Sequence, residues 1–205
     1  MVSQRQVTAI ILAGGQSSRM GRDKALLKYQ NSTLLAHTCE VAKECASQVY
    51  VITPWGEKYQ AILPSGCSLI PELTVTPAKG NNSPLVAFAQ GLAQIETATE
   101  WILLLPCDLP YLSASQIQKW LTSLAEVEIQ AIAYLPRHAK GWEPLCGFYH
   151  RSCLPSLQEY IEQGQRSFQG WLAQQNVEEL AVSDRKVLFN CNTPQDWESV
   201  RSSSS

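Results

Sequence analysis

Five consecutive apolar residues, Trp101 to Leu105, end at Pro106-Cys107-Asp108, and this run narrows the possible folds more than any other feature. A strand with one solvated face alternates apolar and polar side chains. A strand apolar at every position is covered on both faces, as at the centre of a parallel sheet flanked by helices. A second mostly apolar run, Val7 to Ala13, halts at Gly14-Gly15 and opens into a loop holding Arg19, Gly21, Arg22 and Lys24. Helical patterns separate the strands. One fits Thr33 to Ala46, capped by Ser32, with Leu34, Leu35, Val41 and Ala42 on one face. Another opens at Ser83-Pro84 and runs to about Ile95, and a third follows the capping-box pattern Ser113 to Gln116 and runs to about Val127. Strands are expected at Val49 to Ile52, Cys67 to Ile70 and Ile129 to Tyr134. The order strand-helix-strand, repeated, predicts an α/β fold: a three-layer α/β/α sandwich on a mainly parallel sheet.

Residues 136 to 150 interrupt this alternation. Arg137 to Trp142 reads as a polar loop and Leu145 to Tyr149 as a strand, antiparallel to the rest. Helices fit Leu154 to Glu162 and Phe168 to Gln174. Short strands near Leu180 and Val187, then a helix after Pro194, close the fold, with Thr193 as its cap. Residues 1–201 are expected to form one domain, and the four serines 202–205 a disordered tail.

The 205 residues carry 16 basic and 18 acidic side chains, a net charge of −2, which argues against a nucleic-acid binder. Any anion site must be local. No apolar run approaches the ~20 residues that span a bilayer, and Met1 to Gln6 carry no signal-like apolar core. The expected location is the cytoplasm, away from membranes. Seven scattered cysteines without a Cys-x-x-Cys spacing read as reduced, mostly buried thiols. Cys146, His150 and Cys153 cluster but lack a nearby fourth ligand for zinc.

A buried strand that empties into a glycine-rich loop sets bare backbone at the carboxyl edge of the sheet, where open α/β sheets bind ligands. Glycines let N–H groups approach an anion, and Arg19, Arg22 and Lys24 supply charge for phosphate. Neither the P-loop pattern nor the dinucleotide pattern Gly-x-Gly-x-x-Gly is present. Asp108, just past the central strand, lies at the same edge and suits a Mg²⁺ ligand.

Leu12 to Lys24, Leu-Ala-Gly-Gly-x-Ser-x-Arg-Met-Gly-x-Asp-Lys, resembles the signature loop of the molybdenum cofactor guanylyltransferases, the MobA family, within the Rossmann-like nucleotidyltransferases of glycosyltransferase-A-like fold. The resemblance covers nearly the whole chain and is strongest over residues 7–26 and 101–110. It implies that the N-terminal half binds nucleotide through Leu12, Ala13, Gly14, Gly15, Lys24, Glu72 and Asp108, with backbone N–H groups of residues 13–15 as the cradle. Cytidylyl-transferring relatives usually have Ala at the position of Gly14, so the missing methyl is expected to leave room for a purine. Arg22 occupies a variable position of the pattern and reads as a solvated charge. Glu72 stands where the family has Asp, and Ser83-Pro84-Leu85-Val86-Ala87 replaces Gly-Pro-Leu-Ala-Gly. At the family's polar contact after the second strand this chain has Ile52, with Thr53 as a substitute.

In the C-terminal half, the resemblance implies an acceptor pocket that includes Arg166, Asn190 and Asn192. Glu143 stands where the family has His. His37 reads as structural, His138 and Lys140 as loop charges, and Trp142 as a stacking or packing surface. The activity implied is transfer of GMP from MgGTP to molybdopterin cofactor with release of pyrophosphate. Arg19 and Lys24 would neutralise phosphate charge and Asp108 would hold Mg²⁺. GTP, molybdopterin, molybdopterin-handling proteins and recipient molybdoenzymes are the partners implied. Two alternatives stay open at this level: a cytidylyltransferase or other nucleotidyltransferase, and a non-catalytic molybdopterin- or nucleotide-binding protein.

Overall fold

The structure, a computed structural model, describes residues 7–15, 17, 20–73, 83–96 and 98–203. Its strands are β1 (Val7–Leu12), β2 (Lys28–Tyr29), β3 (Ser32–Thr33), β4 (Gln48–Thr53), β5 (Cys67–Pro71), β6 (Trp101–Pro106), β7 (Ala133–Leu135), β8 (Arg137–His138), β9 (Gly141–Trp142), β10 (Gly147–His150) and β11 (Val177–Glu179). Its helices are α1 (Leu34–Lys43), α2 (Gly56–Gln60), α3 (Pro84–Gln94), α4 (Ala114–Leu124), α5 (Leu154–Glu162), α6 (Phe168–Leu172) and α7 (Pro194–Ser203).

Seven strands form one sheet in the order β11-β7-β10-β6-β1-β4-β5. All neighbours are parallel except β10, which runs antiparallel to both β6 and β7. The two apolar runs sit side by side at its middle, with Leu12 opposite both Ile52 and Pro106. Alternation along each strand then sends side chains to two cores. Ala9, Ile11, Leu103 and Leu105 pack with Leu35 and Cys39 of α1 and with Ile117 and Trp120 of α4. Ile10, Leu12, Ile102 and Leu104 pack with Phe88 of α3, Leu157 of α5 and Trp171 of α6. These are the three layers that the repeated strand-helix pattern predicts. A third cluster, Met20, Leu27, Tyr29, Leu34, Trp197 and Val200, seats α7 against the β2–β3 hairpin.

Several local expectations change. The cap of α1 is Thr33, one residue later than expected, whose hydroxyl accepts from Ala36 N–H at 3.2 Å. Residues 137–142 form the two-stranded ribbon β8–β9 rather than an open loop. The segment around Val187 is a 3-10 turn, since the Asp184 carboxylate caps it by accepting from Lys186 N–H at 2.9 Å. The seventh sheet strand ends at Glu179, so Leu180 lies just past it. Helix α7 takes in Ser202 and Ser203, expected in the tail; Ser204 and Ser205 lie outside the described residues. No helix among the described residues is long and apolar enough to cross a membrane.

Candidate active site

The carboxyl ends of β1, β4 and β6 bring three segments to one level. Ala13 N–H donates to the Ile52 carbonyl at 2.9 Å, and Thr53 donates its hydroxyl to the Ala13 carbonyl at 2.9 Å. That hydroxyl also accepts from Trp55 N–H at 3.1 Å. Thr53 is fully buried and Ile52 nearly so, against α3. Neither side chain presents a free group to a nucleotide, and both act as scaffolding. The Ala13 N–H is likewise committed to the sheet, so the expected N–H cradle over residues 13–15 narrows to Gly14 and Gly15.

Gly14 has a reason of its own. A Cβ built there would lie 2.6 Å from Glu72 Oε2, well inside van der Waals contact. The space left by the missing methyl is therefore taken up by the Glu72 carboxylate, which comes over the loop from the end of β5. This revises the expectation that the space is simply room for a purine.

At the end of β6 stands Asp108, 8% exposed. Its Oδ2 accepts from Lys24 Nζ at 2.6 Å, and Asn192 Oδ1 accepts from the same ammonium at 2.9 Å. Two of the lysine's three donors are used, leaving one for a ligand. The other carboxylate oxygen, Asp108 Oδ1, is buried and has no hydrogen-bond partner among the described residues. An orphaned carboxylate oxygen is costly to bury, and a divalent cation there would satisfy it. Mg²⁺ is commonly held by one or two carboxylates plus substrate phosphates, so this donor set fits that ion. No group of three His, Cys, Asp or Glu side chains suited to a metal occurs among the described residues.

The chain segment 190–193 is stitched to this centre. Cys191 N–H donates to the Asp108 carbonyl at 3.0 Å. The Asp196 carboxylate accepts from Asn192 N–H at 2.9 Å and Thr193 N–H at 2.8 Å, and Thr193 Oγ1 accepts from Asp196 N–H at 3.2 Å. This reciprocal capping box opens α7 and sets the direction of Asn192. Asn190 lies next to it, its amide donating to the Leu188 carbonyl at 3.2 Å. Arg166 is elsewhere. Its Nη1 donates to the carbonyls of Ile161 at 2.7 Å and Gln165 at 2.6 Å, which closes the end of α5. Arg19 lies outside the described residues.

Four further side chains belong to the surroundings of this centre, and of these only Asp23 is part of the Leu12 to Lys24 pattern. Asp23 caps the 3-10 turn Lys24–Leu26 through Ala25 N–H at 3.0 Å. Its Oδ2 accepts from Tyr59 Oη at 2.8 Å and pairs with Lys58 Nζ at 2.5 Å. Lys58 lies in the five-residue helix α2, too short to show an amphipathic period. Glu143, noted in the sequence only as a departure from His, lies on the β9–β10 connection. Burial pushes its carboxyl pKa up; the His138 ring 3.8 Å away works against this, and the Asp108 charge adds to it. Cys107, beside Asp108, is pushed up to about 12, first by burial and then by the Asp108 charge, so its thiol stays protonated at neutral pH.

The family model described as the MobA-like NTP transferase domain matches residues 9–179. A Nostoc sp. protein named "Probable molybdenum cofactor guanylyltransferase" is 52% identical over 93% of this chain and 88% of its own length. A Synechococcus elongatus protein of the same name is 42% identical over 94% and 97%. Among solved structures, the molybdopterin-guanine dinucleotide biosynthesis protein A of Archaeoglobus fulgidus superposes with a TM-score of 0.77, at 20% identity over 97% of this chain and 98% of that one. A Mycobacterium tuberculosis protein solved in complex with manganese has the same fold, with a TM-score of 0.67 and 19% identity over 97% and 98% of the two chains. With the glycine loop, the Asp108 edge and the antiparallel β10 all in one frame, and relatives this similar over almost its full length, the chain belongs to the MobA-like NTP transferase family.

Proposed function

We propose that this protein transfers GMP from GTP to molybdopterin cofactor, forming the guanine dinucleotide cofactor and releasing pyrophosphate. The observation that carries the chemistry is the Lys24–Asp108–Asn192 constellation, in which a partly buried ammonium and an orphaned carboxylate oxygen share the end of the central strand. The acceptor's terminal phosphate already carries a nucleophilic oxygen. It needs no side chain to take a proton, so alignment and charge neutralisation are the protein's main contributions. Lys24 faces the phosphates with its remaining donor. Gly15 lets the nucleotide lie against backbone, and the Glu72 carboxylate, seated over Gly14, meets it from the end of β5. Asp108 holds Mg²⁺, which supplies neutralisation of phosphate charge when bound.

The N-terminal half, up to β6, serves the nucleotide, and the C-terminal half, with Asn190 and Asn192, serves the acceptor. Arg19 belongs with the phosphate partners on the strength of the signature loop. Arg166 acts through the α5–α6 turn that it braces. The setting is the cytoplasm, with molybdopterin-handling proteins and recipient molybdoenzymes as further partners.

A competition assay tests this reading. With GTP and CTP at equal concentration, Mg²⁺ and molybdopterin, the expected product is the guanine dinucleotide with stoichiometric pyrophosphate. Exclusive formation of the cytosine product would reject the choice of base. Binding of GTP with no turnover would favour a carrier protein.

A further inference from the structure

Cys39 lies in the middle of α1 and is fully buried, while Cys67 opens β5 and is half-buried. Packing brings them together from two directions. In the sheet, Cys67 stands opposite Val49 of β4. Strand alternation turns Cys67 and Leu69 to the face that α1 covers, where Val49 and Cys39 belong to the same core. On the helix, Cys39 and Lys43 are one turn apart and share a face. A Cβ added at Gly66, the residue before Cys67, would lie 4.0 Å from Lys43 Cε, so that face of α1 rests on the start of β5. The two thiols meet there and hydrogen-bond to each other.

The pair is asymmetric. Cys39 S–H donates and the Cys67 sulfur accepts, which lowers the Cys67 pKa; partial desolvation works against this, the Lys43 ammonium adds to it and the Glu40 carboxylate opposes it. The other six thiols are all pushed up, Cys39 first by the same hydrogen bond and the remaining five first by burial. A half-exposed thiol that ionises readily, beside a second thiol, is the arrangement of a disulfide-forming pair. Cys67 starts β5, at the opposite edge of the sheet from Glu72, so nucleotide chemistry makes no call on either thiol.

We propose that Cys39 and Cys67 form a reversible intramolecular disulfide, with a low-molecular-weight disulfide as the oxidant. The Cys67 thiolate attacks one sulfur of the oxidant, the oxidant's S–S bond breaks, and one thiol leaves with the proton that Cys67 gave up. The Cys39 sulfur then attacks the Cys67 sulfur of this mixed disulfide, and the second thiol leaves with the Cys39 proton. Two protein thiols are oxidised and one disulfide is reduced to two thiols, with no proton left over. The protein sulfurs need only close from hydrogen-bond contact to the roughly 2 Å of a bond. The bond ties α1 to the edge strand β5 and closes the loop between residues 39 and 67, which restricts the unfolded chain.

Peptide mapping of the folded protein tests this. Reduced wild type is exposed to glutathione disulfide, quenched with iodoacetamide under denaturing conditions and digested. The expected product is a peptide pair joined through Cys39 and Cys67, lighter by two hydrogens than its reduced parts. The melting temperature should rise about 5 °C with it, and dithiothreitol should reverse both changes. In Cys39→Ala, Cys67 should stop at the glutathione adduct, with no such rise. In Cys67→Ser, a change at a half-exposed position that keeps the comparison intact even if Cys39→Ala does not fold, the joined pair should vanish and Cys39 should carry no adduct. A glutathione adduct that persists on Cys67 in wild type while Cys39 is alkylated overturns the inference. So does a bond from either thiol to Cys107, or no oxidation of either.

Discussion

The consecutive residues Asp23 and Lys24 each make an aspartate–lysine pair, and the two pairs are built differently. The inner pair, Lys24–Asp108, is 15% and 11% exposed at its side chains and joins segments 84 residues apart in the chain. The outer pair, Asp23–Lys58, leaves the lysine 47% exposed on a one-turn helix. Both have short contacts, so distance does not distinguish them. Burial does. A partly buried pair that loses one member strands a charge away from water, while an exposed lysine is readily solvated and contributes little stability. The inner pair therefore combines stability with chemistry, and the outer pair orients a charge.

The largest effect expected on breaking this contrast is at Lys24. Lys24→Met should lower transfer by about 10²-fold and destabilise the fold by about 3 kcal/mol, because Asp108 is left unpaired. Lys58→Met should cost no more than about 1 kcal/mol. Thermal or urea unfolding of the two variants side by side checks the difference, and equal losses would erase it. At the outer pair, Asp23→Asn should release Lys58 and lower stability by no more than about 1 kcal/mol, since the lysine is largely exposed. Gly14→Ala should push the Glu72 carboxylate off the loop and raise KM for GTP about fivefold. Glu72→Ala in the same background should add little more, since the two changes act on one contact. Thr193→Ala should cost about 1 kcal/mol through the lost cap of α7 and loosen Asn192 with it. The smallest effect is at Cys107: with its half-buried thiol pushed up to about 12, it should resist alkylation at pH 8 in the folded protein. Cys67 should label first, its pKa lowered by a hydrogen bond with Cys39, against partial desolvation, with help from Lys43. Peptide mass spectrometry reads both sites.

The inner pair was largely legible in the sequence and the outer pair was not, for physical reasons. Asp108 and Lys24 follow long apolar strands whose burial on both faces shows in composition alone. Asn192 came only from the family resemblance, as an acceptor-pocket residue, and its contact with Lys24 spans 168 residues, beyond any local period. Lys58 and Trp55 lie in and beside a helix of five residues that offers no periodicity to read. Asp23 looked like part of a motif, while its structural task is to tie that motif to α2. Arg166 came from a recognisable segment, and its Nη1 is engaged by the carbonyls of Ile161 and Gln165 at the end of the preceding helix α5, a contact no local pattern announces. Gly14 was legible as a glycine needed for room, but the claimant on that room, Glu72, came from a different strand.

The central claim is that the inner pair is the reaction centre, and Asp108 tests it most directly. GMP transfer from GTP to molybdopterin in saturating Mg²⁺, measured for wild type and Asp108→Ala at matched folded concentration, should fall on the order of 10³-fold in the variant. Undiminished transfer by Asp108→Ala would contradict the account.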